Sequence, residues 1–338
     1  MKEIIILKND RTGDLFVSLN AINKIIFKHK KDKLTIFLSN INHKFSFLFP
    51  NINKKVIPMN LRILNKIYLF FYLLIKTIDT IYILTPKNFY YYLPFFFRNI
   101  KFYAITINGK KNRPNKLLLK YLENYVVIDR KNLKRRKSSY LTQEELIPIN
   151  NENFAINNFQ INHKVDHNFV YPEKYIFFHY KHNLFKNLLN WELDKIVNML
   201  NLFSKNKYHV LFSSEIYHKK INNFFTNEFN TYDYNSGEKF ITNNKKIFFL
   251  KDIDGYNLFD AVNKSSKVIC PEGIISHMSY FLKKPHLALI HFKLNNLQDF
   301  KDQLISCKEW FPPNNYKYTM LKKDFNRSIK KIKSRIDF

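Results

Sequence analysis

The sequence predicts an α/β protein made of two successive units, each a parallel sheet covered on both faces, with a cleft between them. Three observations predict it. Short apolar runs of strand length alternate with longer stretches of helical periodicity, the pattern of strands joined by helical crossovers. That alternation stops over Pro148–Tyr171, an Asn-rich stretch without periodicity, and then restarts. The chain has 338 residues, enough for about two domains at roughly 100–200 residues each.

Taken in order, Ile4–Leu7 reads as a buried strand, and Leu15, Leu19, Ile22 and Ile26 fall on one face of a following helix. Leu34–Leu38 is a second strand. A helix over Leu61–Lys76 precedes the strand Thr80–Leu84. After the Asn-rich connector come the strand Tyr175–Phe178, a helix through Trp191–Phe203, and the strands His209–Phe212 and Ile247–Leu250. A helix around Leu258–Asn263, the strand Val268–Cys270, a helix through His277–Leu282 and the strand His286–Ile290 complete the series. The tail Tyr316–Phe338 carries eight Lys or Arg against two Asp and reads as a basic helix. The expected boundaries are 1–160, 170–315 and 316–338.

Composition excludes several classes. Hydrophobic residues make up 46% and aromatics 17%, so a large core can form and disorder is excluded. Cys270 and Cys307 are too few for a disulfide framework or a four-thiolate zinc site. The chain has 47 Lys and 9 Arg against 27 Asp plus Glu, a net charge of +29. Lys, Asn, Ile, Phe and Tyr are inflated together, so part of that charge reflects coding bias, yet a chain this basic is drawn to anionic surfaces. Met1–Lys8 lacks the length and cleavage site of a signal peptide. The apolar run Ile67–Ile75, between Lys66 and Lys76, falls short of the roughly 20 residues a spanning helix needs, so it predicts a buried or interfacial helix.

The chain has five glycines, and two of them mark the places where chemistry is expected. Gly13 lies in Asn9-Asp10-Arg11-Thr12-Gly13-Asp14 and Gly273 in Pro271-Glu272-Gly273-Ile274-Ile275-Ser276-His277, each between a strand and a helix. Open α/β sheets bind ligands outside the carboxyl ends of their strands. Glycine there permits close backbone approach or a positive φ; two ordinary tight turns are the alternative. Asp14 is the candidate base for an incoming hydroxyl, or else a cap of the helix after it. The helix after Gly273 offers free N–H groups to a phosphate, Glu272 can accept hydrogen bonds from sugar hydroxyls, and His277 either donates to an oxygen or packs in the core. Lys186 is a candidate for a phosphate charge or a plain surface lysine. His179-Tyr180-Lys181-His182 has two imidazoles without a third ligand at metal spacing, and no metal is expected. The basic stretch Lys110–Lys137, including Arg135, Arg136 and Lys137, is a solvated face or a grip on an anionic acceptor. No phosphate-binding P-loop, full Gly-x-Gly-x-x-Gly fingerprint or serine nucleophile elbow occurs.

These motifs resemble glycosyltransferase family 9, the heptosyltransferases of bacterial lipopolysaccharide and their relatives. Ile4-Ile5-Ile6-Leu7-Lys8-Asn9-Asp10-Arg11-Thr12-Gly13-Asp14-Leu15 is similar to the family's amino-terminal signature. Asp260-Ala261-Val262, Val268 through Met278, and Lys284-Pro285-His286-Leu287-Ala288-Leu289 are similar to its carboxy-terminal donor signature. The resemblance implies a GT-B architecture, two Rossmann-like domains facing each other across a cleft. The first would bind the acceptor and the second a nucleotide-diphosphate sugar, with ADP-heptose one candidate and no cofactor. It implies Asp14 as general base of an inverting transfer, with Thr12 and Gly13 in its loop. It also implies that Lys186, Glu272, Gly273, Ile274, Ser276, His277 and Glu215 hold the donor. The family's donor loop reads Asp-Thr-Gly or a close variant, where this chain has Glu272-Gly273-Ile274. The expected partners are the nucleotide sugar, an anionic glycolipid and the cytoplasmic face of the inner membrane, without nucleic acid. Two readings compete: a non-catalytic relative that binds sugar nucleotides, and a protein that binds polyanions or nucleic acid through its charge and aromatics.

Overall fold

A parallel strand can join its neighbour only after the chain crosses back over the sheet, and a computed structural model of the chain is organised by that requirement throughout. The structure describes residues 2–108, 116–130, 138–147, 169–205, 208–235, 246–292, 301, 303–304, 307, 309–312 and 317–336. These divide into two units, Met1–Asn162 with Leu297–Pro313, and His163–Asn296 with Asn314–Phe338.

The first unit contains β1 (Glu3–Lys8), α1 (Thr12–Lys28), β2 (Lys33–Leu38), β3 (Asn53–Val56), α2 (Ile63–Ile75), β4 (Ile78–Ile83), α3 (Asn88–Phe96), β5 (Lys101–Asn108), α4 (Lys116–Leu119), β6 (Asn124–Asp129) and α5 (Ser139–Glu144). Its six strands lie in the order β3-β2-β1-β4-β5-β6, all parallel. β1 is buried at every residue, as the apolar run Ile4–Leu7 predicts. Ile5 and Leu7 share one core with Phe37, Ile81 and Ile83 from the sheet, Leu69 and Leu73 of α2, and Tyr90 and Leu93 of α3. Helix α1 packs against α5, where Lys24 and Asn20 reach Glu144 at 3.0 Å each.

The second unit contains β7 (Tyr175–Tyr180), α6 (Leu193–Ser204), β8 (His209–Ser214), α7 (Lys219–Glu228), β9 (Asn230–Asp233), β10 (Ile247–Lys251), α8 (Gly255–Lys264), β11 (Lys267–Pro271), α9 (Ile274–Phe281), β12 (His286–Ile290), β13 (Lys317–Met320) and α10 (Phe325–Ile336). Its seven parallel strands run β13-β12-β11-β7-β8-β10-β9. Phe178, Phe212, Phe249 and Ile269 of the sheet pack with Trp191, Met199 and Phe225, and with Ile332 and Ile336 of α10. In both sheets the strand order reverses beside the first strand of the unit, between β1 and β4 and between β7 and β11. Those two reversals are the switch points at which open α/β sheets take ligands.

The structure departs from the sequence reading at several elements. β3, β5, β6, β9 and β13 were not expected. β3 and β6 are edge strands with largely exposed residues, so they lack an apolar run. The tail is a strand followed by a helix rather than one helix, because Tyr318 and Thr319 pair with Ala288 and Leu289 before α10 begins. Leu297–Pro313 groups with the first unit instead of the second. Glu309, buried there, takes a two-pronged ion pair from Arg130 (2.7 and 2.9 Å to Oε1), and its carbonyl accepts the Ser139 N–H at 2.7 Å. Most of the Asn-rich connector, 148–168, lies outside the described residues.

Trp191 is fully buried, donates its indole N–H to Lys323 O at 3.0 Å, and meets the Phe325 ring edge-on at 5.0 Å. It therefore holds α10 to the sheet. Trp191→Ala should cost about 3–5 kcal/mol, as large core truncations do. Amide exchange should speed up in α10 while α1 keeps its protection, an outcome that hydrogen-exchange mass spectrometry reads directly.

Candidate functional site

The first switch point is built around the loop that leaves β1. Three successive backbone carbonyls of this loop are each held by a different side chain. Lys8 O accepts from Asn42 Nδ2 at 2.8 Å, Asn9 O from Lys87 Nζ at 2.8 Å, and Asp10 O from Ser39 Oγ at 2.7 Å. The Asn9 side chain is fixed as well, accepting from the Tyr90 hydroxyl at 2.6 Å. Lys8 is buried and reaches Asp10 Oδ2 at 2.8 Å, an oxygen that also accepts from Thr85 at 3.1 Å. Among the described residues Asp10 Oδ1 has no hydrogen-bond partner. Burial pushes the Lys87 ammonium down to about 8. A loop clamped at three successive carbonyls leads into the start of α1.

That helix start carries Asp14. Helix α1 begins at Thr12, with Arg11 at its N-cap in extended conformation, and Leu15 N–H donates to Arg11 O at 3.1 Å. Asp14 thus stands inside the first turn and is not the cap. Gly13 is helical and has no positive φ, contrary to the turn expected there; helix propagation from Thr12 leaves no turn to make. Burial raises the Asp14 carboxyl above the usual aspartate range, and neighbouring Asp10 raises it further against the opposing pull of Lys8, Arg11 and Arg130. A carboxylate raised in this way is a better proton acceptor for a hydroxyl than an ordinary one.

The second switch point joins the ends of β11 and β7. Gly273 is the N-cap of α9 and has φ +146°, a backbone region that disfavours any residue with a Cβ. His277 N–H closes the first turn onto Gly273 O at 3.1 Å. The start of a helix such as α9, opening at Ile274, suits an anion. Lys181, immediately after β7, donates to Glu272 O at 3.2 Å and lies 3.6 Å from where a Cβ on Gly273 would stand. Burial raises the Glu272 carboxyl, with Lys181 opposing. His277 is buried 3.9 Å from Glu272, and burial, aided by His286 and Lys181, lowers it to about 4. It is therefore a neutral imidazole near pH 7. Ser276 is fully buried and Ile274 half-buried at the helix start.

Alongside, the end of β7 is tied to the end of β8. Glu215 Oε2 accepts the His182 N–H at 2.8 Å, Glu215 also accepts from the Tyr217 hydroxyl, and His218 Nε2 stands 3.6 Å away. His179, lowered to about 4 by burial, pairs with Ser213 Oγ at 2.9 Å. Among the described residues no group of three His, Cys, Asp or Glu side chains is placed to hold a metal ion.

The expected donor residues Glu272, Gly273, Ile274, Ser276 and His277 thus come together on one loop and helix start after β11, with Glu215 two strands away at the end of β8. Lys186 does not join them. It belongs to a π-helical turn, Asn183–Leu188, and pairs with Glu192 at 2.6 Å. The cation at the Glu272–Gly273 turn is Lys181, five residues earlier. The signal available in the sequence was its place directly after an apolar strand. Arg135, Arg136 and Lys137 lie outside the described residues.

No protein-family model and no curated protein matches the sequence. Solved structures do match in fold. The E. coli heptosyltransferase WaaC with ADP-2-deoxy-2-fluoro heptose superposes with a TM-score of 0.61 at 12% identity, covering 99% of each chain. A family 9 glycosyl transferase from Veillonella parvula gives 0.63 at 12% identity, over 99% of this chain and 90% of that one. A UDP-GlcNAc 2-epimerase from Methanocaldococcus jannaschii gives 0.55 at 14% identity, over 98% and 92%. The chain therefore has a GT-B fold of the heptosyltransferase kind, two Rossmann-like units in succession, as the sequence motifs implied.

At Gly273 the added Cβ would meet only ordinary contact, so the backbone and not crowding sets the penalty. Gly273→Ala should cost about 1–3 kcal/mol, read as a lowered unfolding midpoint. Gly13→Ala, at a helical position, should match or exceed the native stability by up to about 1 kcal/mol.

Proposed function

We propose that the protein is an inverting glycosyltransferase. It moves a sugar from a nucleotide-diphosphate donor to a hydroxyl of an anionic, lipopolysaccharide-type glycolipid at the cytoplasmic face of the inner membrane. The observation that carries this reading is the pairing of functions at the two switch points. One holds a carboxylate raised by burial, and the other a helix start with a positive-φ glycine and a lysine. The fold alone does not select the reaction, because an epimerase shares it. Asp14 supports transfer, which needs a base for the acceptor hydroxyl.

In the proposed reaction Asp14 takes the proton of the acceptor hydroxyl as that oxygen attacks the anomeric carbon. The bond to the donor's diphosphate breaks on the opposite side, and the sugar's configuration inverts. Negative charge grows on the leaving diphosphate. The N–H groups opening α9 and the Lys181 ammonium, held at Glu272 O, stabilise it. Neutral His277 supplies a hydrogen bond to the donor rather than charge, and Glu272 accepts hydrogen bonds from the donor's sugar hydroxyls. Glu215 is assigned to the nucleoside end, and the stretch with Arg135, Arg136 and Lys137 to the acceptor's anionic groups. An ADP-sugar is the first donor to test, because the matching E. coli enzyme is described with ADP-2-deoxy-2-fluoro heptose.

Thermal-shift measurement against ADP-, UDP- and GDP-sugars tests the donor. A donor at about a hundredfold its Kd stabilises the fold by about 2.7 kcal/mol, and no shift with any of them removes the reading. Asp14→Asn should lower kcat by about 10²–10⁴-fold while leaving that shift in place. Its stability should hold or rise at neutral pH, since a raised carboxyl favours folding only in its protonated form and loses that contribution as pH climbs through its folded-state pKa. The rate should fall as pH drops through the same value, and Arg11→Ala, removing a cation that lowers Asp14, should move that acid limb upward.

Lys181→Met should weaken binding of the nucleoside diphosphate by roughly 10–100-fold, the worth of one charged hydrogen bond. Lys186→Met should change it less than about twofold, as expected of an exposed ion pair. Isothermal titration of both variants decides which lysine meets the diphosphate.

A further inference from the structure

Helix α2 has 13 residues, all of them apolar or aromatic except Asn65 and Lys66. Its inner face, Leu69 and Leu73 flanked by Phe70 and Tyr72, completes the core of the first unit. Its outer face is equally apolar and stands in solvent: Ile63 is 72% exposed, Leu64 78% and Ile75 77%, with Ile67, Phe71 and Leu74 between them. An apolar helix face is ordinarily covered, and this outer one is not. The patch does not end with the helix. The Phe70 ring meets Phe96 of α3 at 5.7 Å, Phe96 meets Phe95 at 5.3 Å, and both Phe95 and Phe96 are exposed.

Charge says what covers it. From residue 33 to residue 122 the sequence has fifteen Lys or Arg and a single acid, Asp79. Arg62 and Lys76 stand exposed at the two ends of α2. Exposed Arg98 lies over the Phe95 and Tyr121 rings at 5.7 and 5.4 Å. An apolar face rimmed by cations fits a surface that is apolar inside and anionic outside. A second copy of this chain would bring the same excess of cations against itself. A helix of this length falls short of the roughly 20 residues needed to span a bilayer, and no helix among the described residues is long and apolar enough to cross one.

We infer that the outer face of α2, continued over Phe95 and Phe96, is a docking surface for an anionic lipid bilayer. The apolar side chains enter the boundary between headgroups and acyl chains, and Arg62, Lys76 and Arg98 meet the lipid phosphates. Exposure and charge within the first unit carry this assignment, which holds whether or not the chain transfers sugar.

Co-sedimentation of the full chain with phosphatidylcholine vesicles, with and without phosphatidylglycerol and at low and high salt, tests it. The native protein should bind the anionic vesicles roughly tenfold or more tightly than the neutral ones, with high salt erasing the difference. Phe71→Ser/Leu74→Ser should lose binding by roughly tenfold or more without a change in melting temperature. Lys76→Glu/Arg98→Glu should weaken binding and flatten its salt dependence. If the serine variant fails to fold, Phe71→Trp in the otherwise native chain supplies a direct reading through quenching of its added fluorescence by brominated lipid. The inference is overturned if the folded serine variant binds as the native protein does, or if brominated lipid leaves the added fluorescence of Phe71→Trp unquenched. Failure of the native protein to bind vesicles, with or without self-association through this face in sedimentation velocity, overturns it equally.

Discussion

Parallel pairing is the constraint on which the rest depends. Because every strand of both sheets runs the same way, each sheet gathers its carboxyl ends and the starts of the following helices along one edge. That edge collects free N–H groups and short loops, and the strand order reverses once in each unit, opening a crevice in each. Asp14 comes after the first strand of the first sheet, and Lys181 after the first strand of the second. Both owe their place to the same topological fact. Gly273 stands across the second reversal from Lys181, at the end of β11.

Burial explains the electrostatics of both places. Asp14 and Glu272 are raised by it, and His179 and His277 are lowered by it to about 4. In a chain of net charge +29 the mean field alone would favour ionised carboxylates. Local desolvation outweighs that field because a distant charge is screened within about 8–10 Å of salt solution, whereas the loss of hydration acts at contact. The clamped loop before Asp14 shows the structural counterpart. Lys87, Ser39 and Asn42 hold three backbone carbonyls of that loop, while Lys8 and Tyr90 hold the Asp10 and Asn9 side chains.

The aromatic and lysine excess of the sequence acquires different meanings by position. In the second unit, Phe212, Phe225 and Phe249 interlock ring against ring inside the core, and Phe178 meets Phe203. On α2 and α3 the same residue types face outward beside Arg and Lys. Coding bias can supply such residues, but it does not sort them into a covered cluster and an uncovered one.

The sequence by itself determined the two α/β units, most of their interior strands (β5 excepted) and the loops at the two switch points. β1, β7 and β11 were legible because a strand buried on both faces is a continuous apolar run, and the Gly273 turn because a chain with five glycines places one after such a run. Edge strands β3 and β6 were illegible, since half their residues meet water and the run dissolves. Only the tertiary structure decided which lysine attends the Gly273 turn. Lys181 and Lys186 are equivalent in composition and lie five residues apart, but a π-helical turn directs the second to Glu192 while strand pairing sets the first beside Glu272. Likewise α2 read as buried or interfacial, and only packing showed that it is half of each. Periodicity reports that a side chain is apolar, and the neighbouring elements decide whether anything lies against it.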